Sequence, residues 1–137
     1  GWLLRPSGPA GGEPASGRLR LRLELDSRPV RAVVEGTNRW LHPLSTRPAE
    51  VLLLLAMAGV AGLNAAELSV ALYGDREHLV TVRAELSRLR RTLGGLLLAR
   101  PYRIAPSVEV QLPELVGCRF VVNSTAPGVR ALAVGRR

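Results

Sequence analysis

The chain contains no lysine: all 19 of its basic residues are arginine. A GC-rich coding sequence produces the same bias, so this absence has no functional weight by itself. Cysteine is almost absent too. Cys118 stands alone, which excludes a disulfide framework and paired thiolate metal ligands and fits a reducing cytosol. A lone cysteine of this kind is expected to be a small buried hydrophobe. There is no long hydrophobic run. The longest, Val51 to Leu63, is broken by Gly59 and Gly62 and falls short of the ~20 residues a bilayer span requires. Trp2 to Leu4 is too brief for the apolar region of a secretory signal. Also missing are a Gly-rich phosphate loop, a nucleophile elbow and paired carboxylates. His42 and His78 lack cysteine or acidic partners at metal spacing. The acids beside His78 make only an ordinary turn cluster. The expectation is a cytoplasmic protein that is not an enzyme, with no catalytic residue, no metal, no cofactor and no membrane partner.

Positive charge is what the chain does have. Its length of 137 residues suits one domain with a real core, and its net charge is +8. Such a balance favours an anionic partner, whereas a generally basic surface would need none. The charge is concentrated. From Arg76 to Arg103, about a fifth of the chain, seven arginines face two acids, Glu77 and Glu85, leaving five of the eight net charges there.

Residues 1–17 are rich in Gly, Pro and Ser without periodicity and read as a linker or flexible arm. The chain opens on Gly rather than Met, as expected of a piece of a longer protein whose regulatory domain lies elsewhere. Leu19, Leu21, Leu23 and Leu25 then alternate with charged residues, the period of a half-buried strand. Turns at Asp26–Pro29 and Glu35–Asn38 separate it from strands at Val30–Val34 and Arg39–His42, with Trp40 expected to pack in the core or between sheet and helix rather than to anchor a partner. A helix is expected from about 46 to 58. Ser45 or Thr46 would cap it, Pro48 fits its first turn, and Gly59 ends it. Asn64 and Glu67 form a capping-box pattern for a second helix that stops at Gly74.

A third helix spans 80–93. Val82, Leu86, Leu89 and Leu93 share one narrow stripe, while Val80, Ala84, Ser87, Arg88 and Arg91 lie opposite. Arg83 and Arg90 flank that open face. Gly94 and Gly95 stop the helix, and Leu96–Leu98 with Tyr102–Ile104 suit a hairpin. The plain alternative for the helix is a solvated cationic face, with one of Arg83, Arg88 and Arg90 paired to Glu77 or Glu85. Beyond 104, Val108–Leu112 and Cys118–Val122 read as strands, and the basic end from Pro127 onward reads as irregular.

Four motifs in this order resemble the winged-helix effector domain of the OmpR/PhoB class of bacterial transcription regulators, over about residues 18–104. They are Leu44-Ser45-Thr46 leading to Glu50 and its leucines, Leu68 through Gly74, Thr81 through Gly94, and Tyr102-Arg103-Ile104. The resemblance implies an α+β winged helix-turn-helix: an N-terminal antiparallel sheet, three helices and a C-terminal hairpin wing. Residues 105–137 form an extension outside it, partly strand or disordered. The chain departs from the pattern at Thr46, Pro48, Arg83, Glu85 and Pro101, and its wing is short, so no target sequence carries over. The resemblance implies sequence-specific binding of double-stranded DNA. Helix 80–93 would lie in the major groove, with Val80, Arg83, Ala84, Ser87, Arg88, Arg90 and Arg91 toward DNA and Arg100 and Arg103 on the wing, against the backbone or minor groove. A homodimer on repeated half-sites is compatible with it. The rival reading uses the same fold to contact RNA polymerase or another regulator.

Overall fold

The computed structural model describes residues 18–134; the linker reading of residues 1–17 lies outside them. The fold is α+β. Three strands, β1 (Arg20–Glu24), β2 (Arg31–Glu35) and β3 (Arg39–Pro43), form an antiparallel meander at the N-terminus. Helices α1 (Thr46–Ala58), α2 (Ala65–Tyr73) and α3 (Leu79–Leu93) follow, then a small hairpin of β4 (Leu97–Leu98) and β5 (Arg103–Ile104). Strand β6 (Glu109–Gln111) returns to the first sheet parallel to β1, in the order β3-β2-β1-β6. Two short helices, α4 (Arg119–Val122) and α5 (Pro127–Arg130), complete the chain with a 3-10 turn at Ala131–Val134.

Alternation decides the first sheet. Leu21, Leu23 and Leu25 are buried on one face with Ala32 and Val34. The opposite face carries charge, and there the arginines find partners. Arg31 Nε donates to Glu24 at 2.6 Å, and Arg22 donates to Glu24 at 3.0 Å and Glu35 at 3.1 Å. Arg39 lies 3.6 Å from Glu35, and Arg20 lies 3.5 Å from Glu109. Hydrogen bonds from Arg31 and then Arg22 hold the Glu24 carboxyl below its ordinary value of 4.5. A carboxyl whose folded pKa is depressed stabilises the fold above its unfolded pKa, and that stability is lost as pH falls through the folded one. Thermal midpoints should therefore fall between pH 5 and pH 3 less steeply in Glu24→Gln than in the parent. Parallel curves for the two proteins would refute this.

Helix α1 is the centre of the core. Every residue from Ala49 to Leu55 is buried, as expected of a helix that is apolar nearly all round. Ser45 occupies its N-cap position but makes no side-chain capping bond. Helix α2 begins with the complete capping box: Glu67 N–H donates to Asn64 Oδ1 at 2.8 Å, and Asn64 N–H donates to Glu67 Oε1 at 2.9 Å. It ends at Gly74, which is left-handed at φ 89°. The hairpin gains a third member, since Leu63 and Tyr102 exchange backbone hydrogen bonds of 2.9 Å in both directions.

Two further expectations are corrected. Trp40 is not a core residue. It sits with 47% of its surface exposed on β3, an edge strand paired on one side only, with β2. Cys118–Val122 is not a strand but leads into the helix α4, and the segment after it forms α5 and a 3-10 turn. Part of the 105–137 extension also joins the packed core. Cys118, Val121, Ala126 and Val129 belong to it, and Gly128 of α5 lies so close to α2 that an added methyl would stand 2.8 Å from Ala71 Cβ.

Candidate nucleic-acid interface

The open face of α3 is positioned from beneath. Val82, Leu86, Leu89 and Leu93 are its four buried residues, the stripe expected from spacing. Val80, Arg83, Ala84, Ser87, Arg88, Arg90 and Arg91 are all exposed. The turn leading into the helix is tied to α2 by the fully buried Ser69. Its hydroxyl donates to Asp75 O at 2.6 Å and accepts the His78 N–H at 3.1 Å. Asp75 Oδ1 accepts the Glu77 N–H at 2.9 Å and lies 3.0 Å from His78 Nδ1. The His78 ring stacks on Tyr73 at 4.1 Å, and the Arg47 guanidinium covers Tyr73 at 4.8 Å. His78 thus packs the turn between the helices. With a hydroxyl, a carboxylate, an imidazole and an aromatic ring all engaged within it, the turn holds α3 in one orientation against α2.

Charge pairing separates this face from the sheet. Of the seven arginines from Arg76 to Arg103, only Arg88 has a carboxylate within ion-pair distance among the described residues, Glu85 at 3.1 Å. Glu85 is largely covered, and its other oxygen is buried without a hydrogen-bond partner, so Arg88 is held to the helix. Arg76, Arg83, Arg90, Arg91, Arg100 and Arg103 have no such partner there, whereas Arg20, Arg22, Arg31 and Arg39 of the sheet all do. Arg90 and Arg91 also lie in the last turn of α3, where the helix dipole favours cations by a few tenths of a kcal/mol or more.

Arg100 is exposed at the hairpin tip with φ 64°, a backbone region that disfavours side chains. Arg103 is half-buried in β5, and its Nε is enclosed without a hydrogen-bond partner. It reaches the surface less freely than Arg100. Tyr102 packs against the core beneath the hairpin.

Among the described residues, no group of three or more His, Cys, Asp or Glu is placed to hold a metal ion, and no helix is long and apolar enough to cross a membrane. Clefts of about 720 and 750 Å³ flank Asp26 and Ser27, and neither is lined by a residue of α3 or the hairpin.

No family model matches the chain, and no solved structure matches it. Over 84 residues the chain is 44% identical to an uncharacterized 47.3 kDa protein in the thcA 5′ region of Rhodococcus erythropolis. The match covers 61% of this chain and only 18% of that protein.

Sequence reasoning missed the Ser69 and Asp75 hydrogen bonds that aim α3. Each joins residues on two sides of a turn, and the only legible signal for them was the acid–histidine spacing itself.

Proposed function

We propose that this chain is a winged helix-turn-helix module that binds double-stranded DNA as the effector part of a transcription regulator. Helix α3 occupies the major groove and the β4–β5 wing touches the backbone or minor groove. The observation that carries this reading is the unneutralised arginine set on α3 and the hairpin, beside a sheet whose arginines are matched by glutamates. Phosphate contacts come from Lys and Arg, and an arginine without a carboxylate partner breaks no ion pair to make one.

The test is fluorescence anisotropy of a labelled random duplex titrated at several salt concentrations, with the parent chain beside Arg83→Ala/Arg91→Ala. These two arginines are chosen over Arg88 because removing Arg88 would also strand Glu85. Parent binding should weaken steeply with salt. The double variant should lose tenfold or more in affinity, with its log–log salt slope reduced by about two, at unchanged circular dichroism. Equal affinities and slopes would end the assignment of this face.

A second reading, a module that contacts RNA polymerase or another regulator, draws on Trp40 and Leu41, which stand 47% and 50% exposed on an edge strand. Weak salt dependence, together with loss of partner binding on Trp40→Ala, would favour it.

A further inference from the structure

We infer that the first half of α3 reads thymine methyl groups, so that the duplex this chain selects carries thymines about two base steps apart in the major groove. This rests on the DNA-binding reading above.

Val80 is 80% exposed, more than any other large hydrophobic side chain among the described residues. Its place in the fold gives it no stabilising role. It packs on nothing that shields it, and a β-branched residue is a mediocre helix former. Ala84, one turn further on, is exposed as well. It is small enough to let the helix backbone approach a base edge closely. The two lie on the side of α3 opposite the buried stripe, near the end that enters the groove first when a recognition helix docks.

Four residues of helix rise about 6 Å, close to the roughly 6.8 Å of two base steps. The thymine 5-methyl is the one apolar group on the major-groove edge of the bases, and it suits Val and Ala as no hydrogen-bonding edge does. Arg83 flanks this pair, and the two cations that lie on the face itself come later. Arg88 is held back by Glu85, and Arg91 follows in the last turn. The centre of the open face is therefore apolar at Val80 and Ala84 and cationic at Arg88 and Arg91, with Arg83 at its flank.

The experiment begins with affinity selection of a site from a random duplex library by the intact chain. Each thymine of the selected duplex is then replaced singly by deoxyuridine, which removes only the methyl group, and each duplex is titrated with the parent and with Val80→Ser. Val80 is exposed, so the variant keeps its fold. Deoxyuridine should weaken parent binding about fourfold at each of two positions. At the position facing Val80, the Val80→Ser chain should show no further loss. A selected site without thymines, or parent affinity unchanged at every deoxyuridine duplex, would overturn this inference while leaving DNA binding intact. Failure to enrich or bind any duplex would remove the DNA-binding reading and this inference together.

Discussion

Replacing Glu50 with Ala is expected to lower folding stability by about 3 kcal/mol, from the loss of a buried acceptor shared by two donors. Glu50 is 1% exposed within α1. Arg47 donates to one of its oxygens at 2.7 Å, and the Ser124 hydroxyl donates to the other. Ser124 in turn accepts the Ala126 N–H at 3.0 Å, just ahead of α5. Removing the carboxylate leaves a buried hydroxyl without its acceptor and a guanidinium without its partner. Arg47 retains some contact with water, which keeps the cost below that of a fully enclosed orphan charge. Glu50→Gln preserves size and an acceptor for Ser124, so it should cost roughly half as much.

Urea midpoints at constant m-value measure the effect. Limited trypsin digestion locates it, because Arg119 and Arg130 are exposed on the segment that Glu50 anchors and should be cut sooner in Glu50→Ala. An unaltered midpoint and unaltered digestion would show that the C-terminal helices do not depend on this contact.

The second large effect is expected at Gly62. Its backbone adopts φ 68° and ψ −173°, a region almost reserved for glycine that costs another residue about 1–3 kcal/mol. In addition, an added methyl would lie 2.6 Å from the Tyr102 carbonyl oxygen, 3.0 Å from Pro101 Cγ and 3.1 Å from Arg103 Cβ. That carbonyl accepts the Leu63 N–H that ties the hairpin to the segment between α1 and α2, so it cannot retreat without breaking the bond.

Gly62→Ala should therefore cost about 3 kcal/mol or more, with early hydrogen exchange at the Leu63 and Tyr102 amides. Gly59 is the control. Its φ is 64° and its ψ −147°, but nothing lies within 4 Å of an added methyl there. Gly59→Ala should show the backbone cost alone and leave those two amides protected. Equal effects at the two positions would mean that the close approach of the hairpin is not what requires glycine at 62.

Much of the candidate interface was legible because its determinants are local. The four leucine and valine positions of α3 recur with the helix period, so both the buried stripe and the opposite face followed from spacing alone. The Asn64–Glu67 capping box and the stop at Gly74 are likewise contained within a turn or two of chain. The alternating leucines of β1 identified a half-buried strand for the same reason.

The two largest failures involve partners remote in sequence. Trp40 looked like a core residue by type, but burial depends on whether another element covers the edge strand, and among the described residues Trp40 keeps 47% of its surface exposed. The C-terminal extension has short apolar stretches with no decisive period. It becomes helical only where α1 and α2 offer Glu50 and Ala71 to pack against.

The arginines illustrate the division most directly. Sequence determined how many there are and that most of the excess lies between Arg76 and Arg103. It also determined which of them ride on the open face of a helix, because helix geometry converts spacing into direction. The tertiary structure decided which of the sheet charges are cancelled. Ion pairing requires two side chains within about 4 Å, and strand register brings Glu24, Glu35 and Glu109 to the sheet arginines, whereas Glu85 reaches Arg88 by helix spacing within α3. The sheet sets Glu24, Glu35 and Glu109 against its four arginines, whereas α3 and the hairpin set Glu85 alone against six.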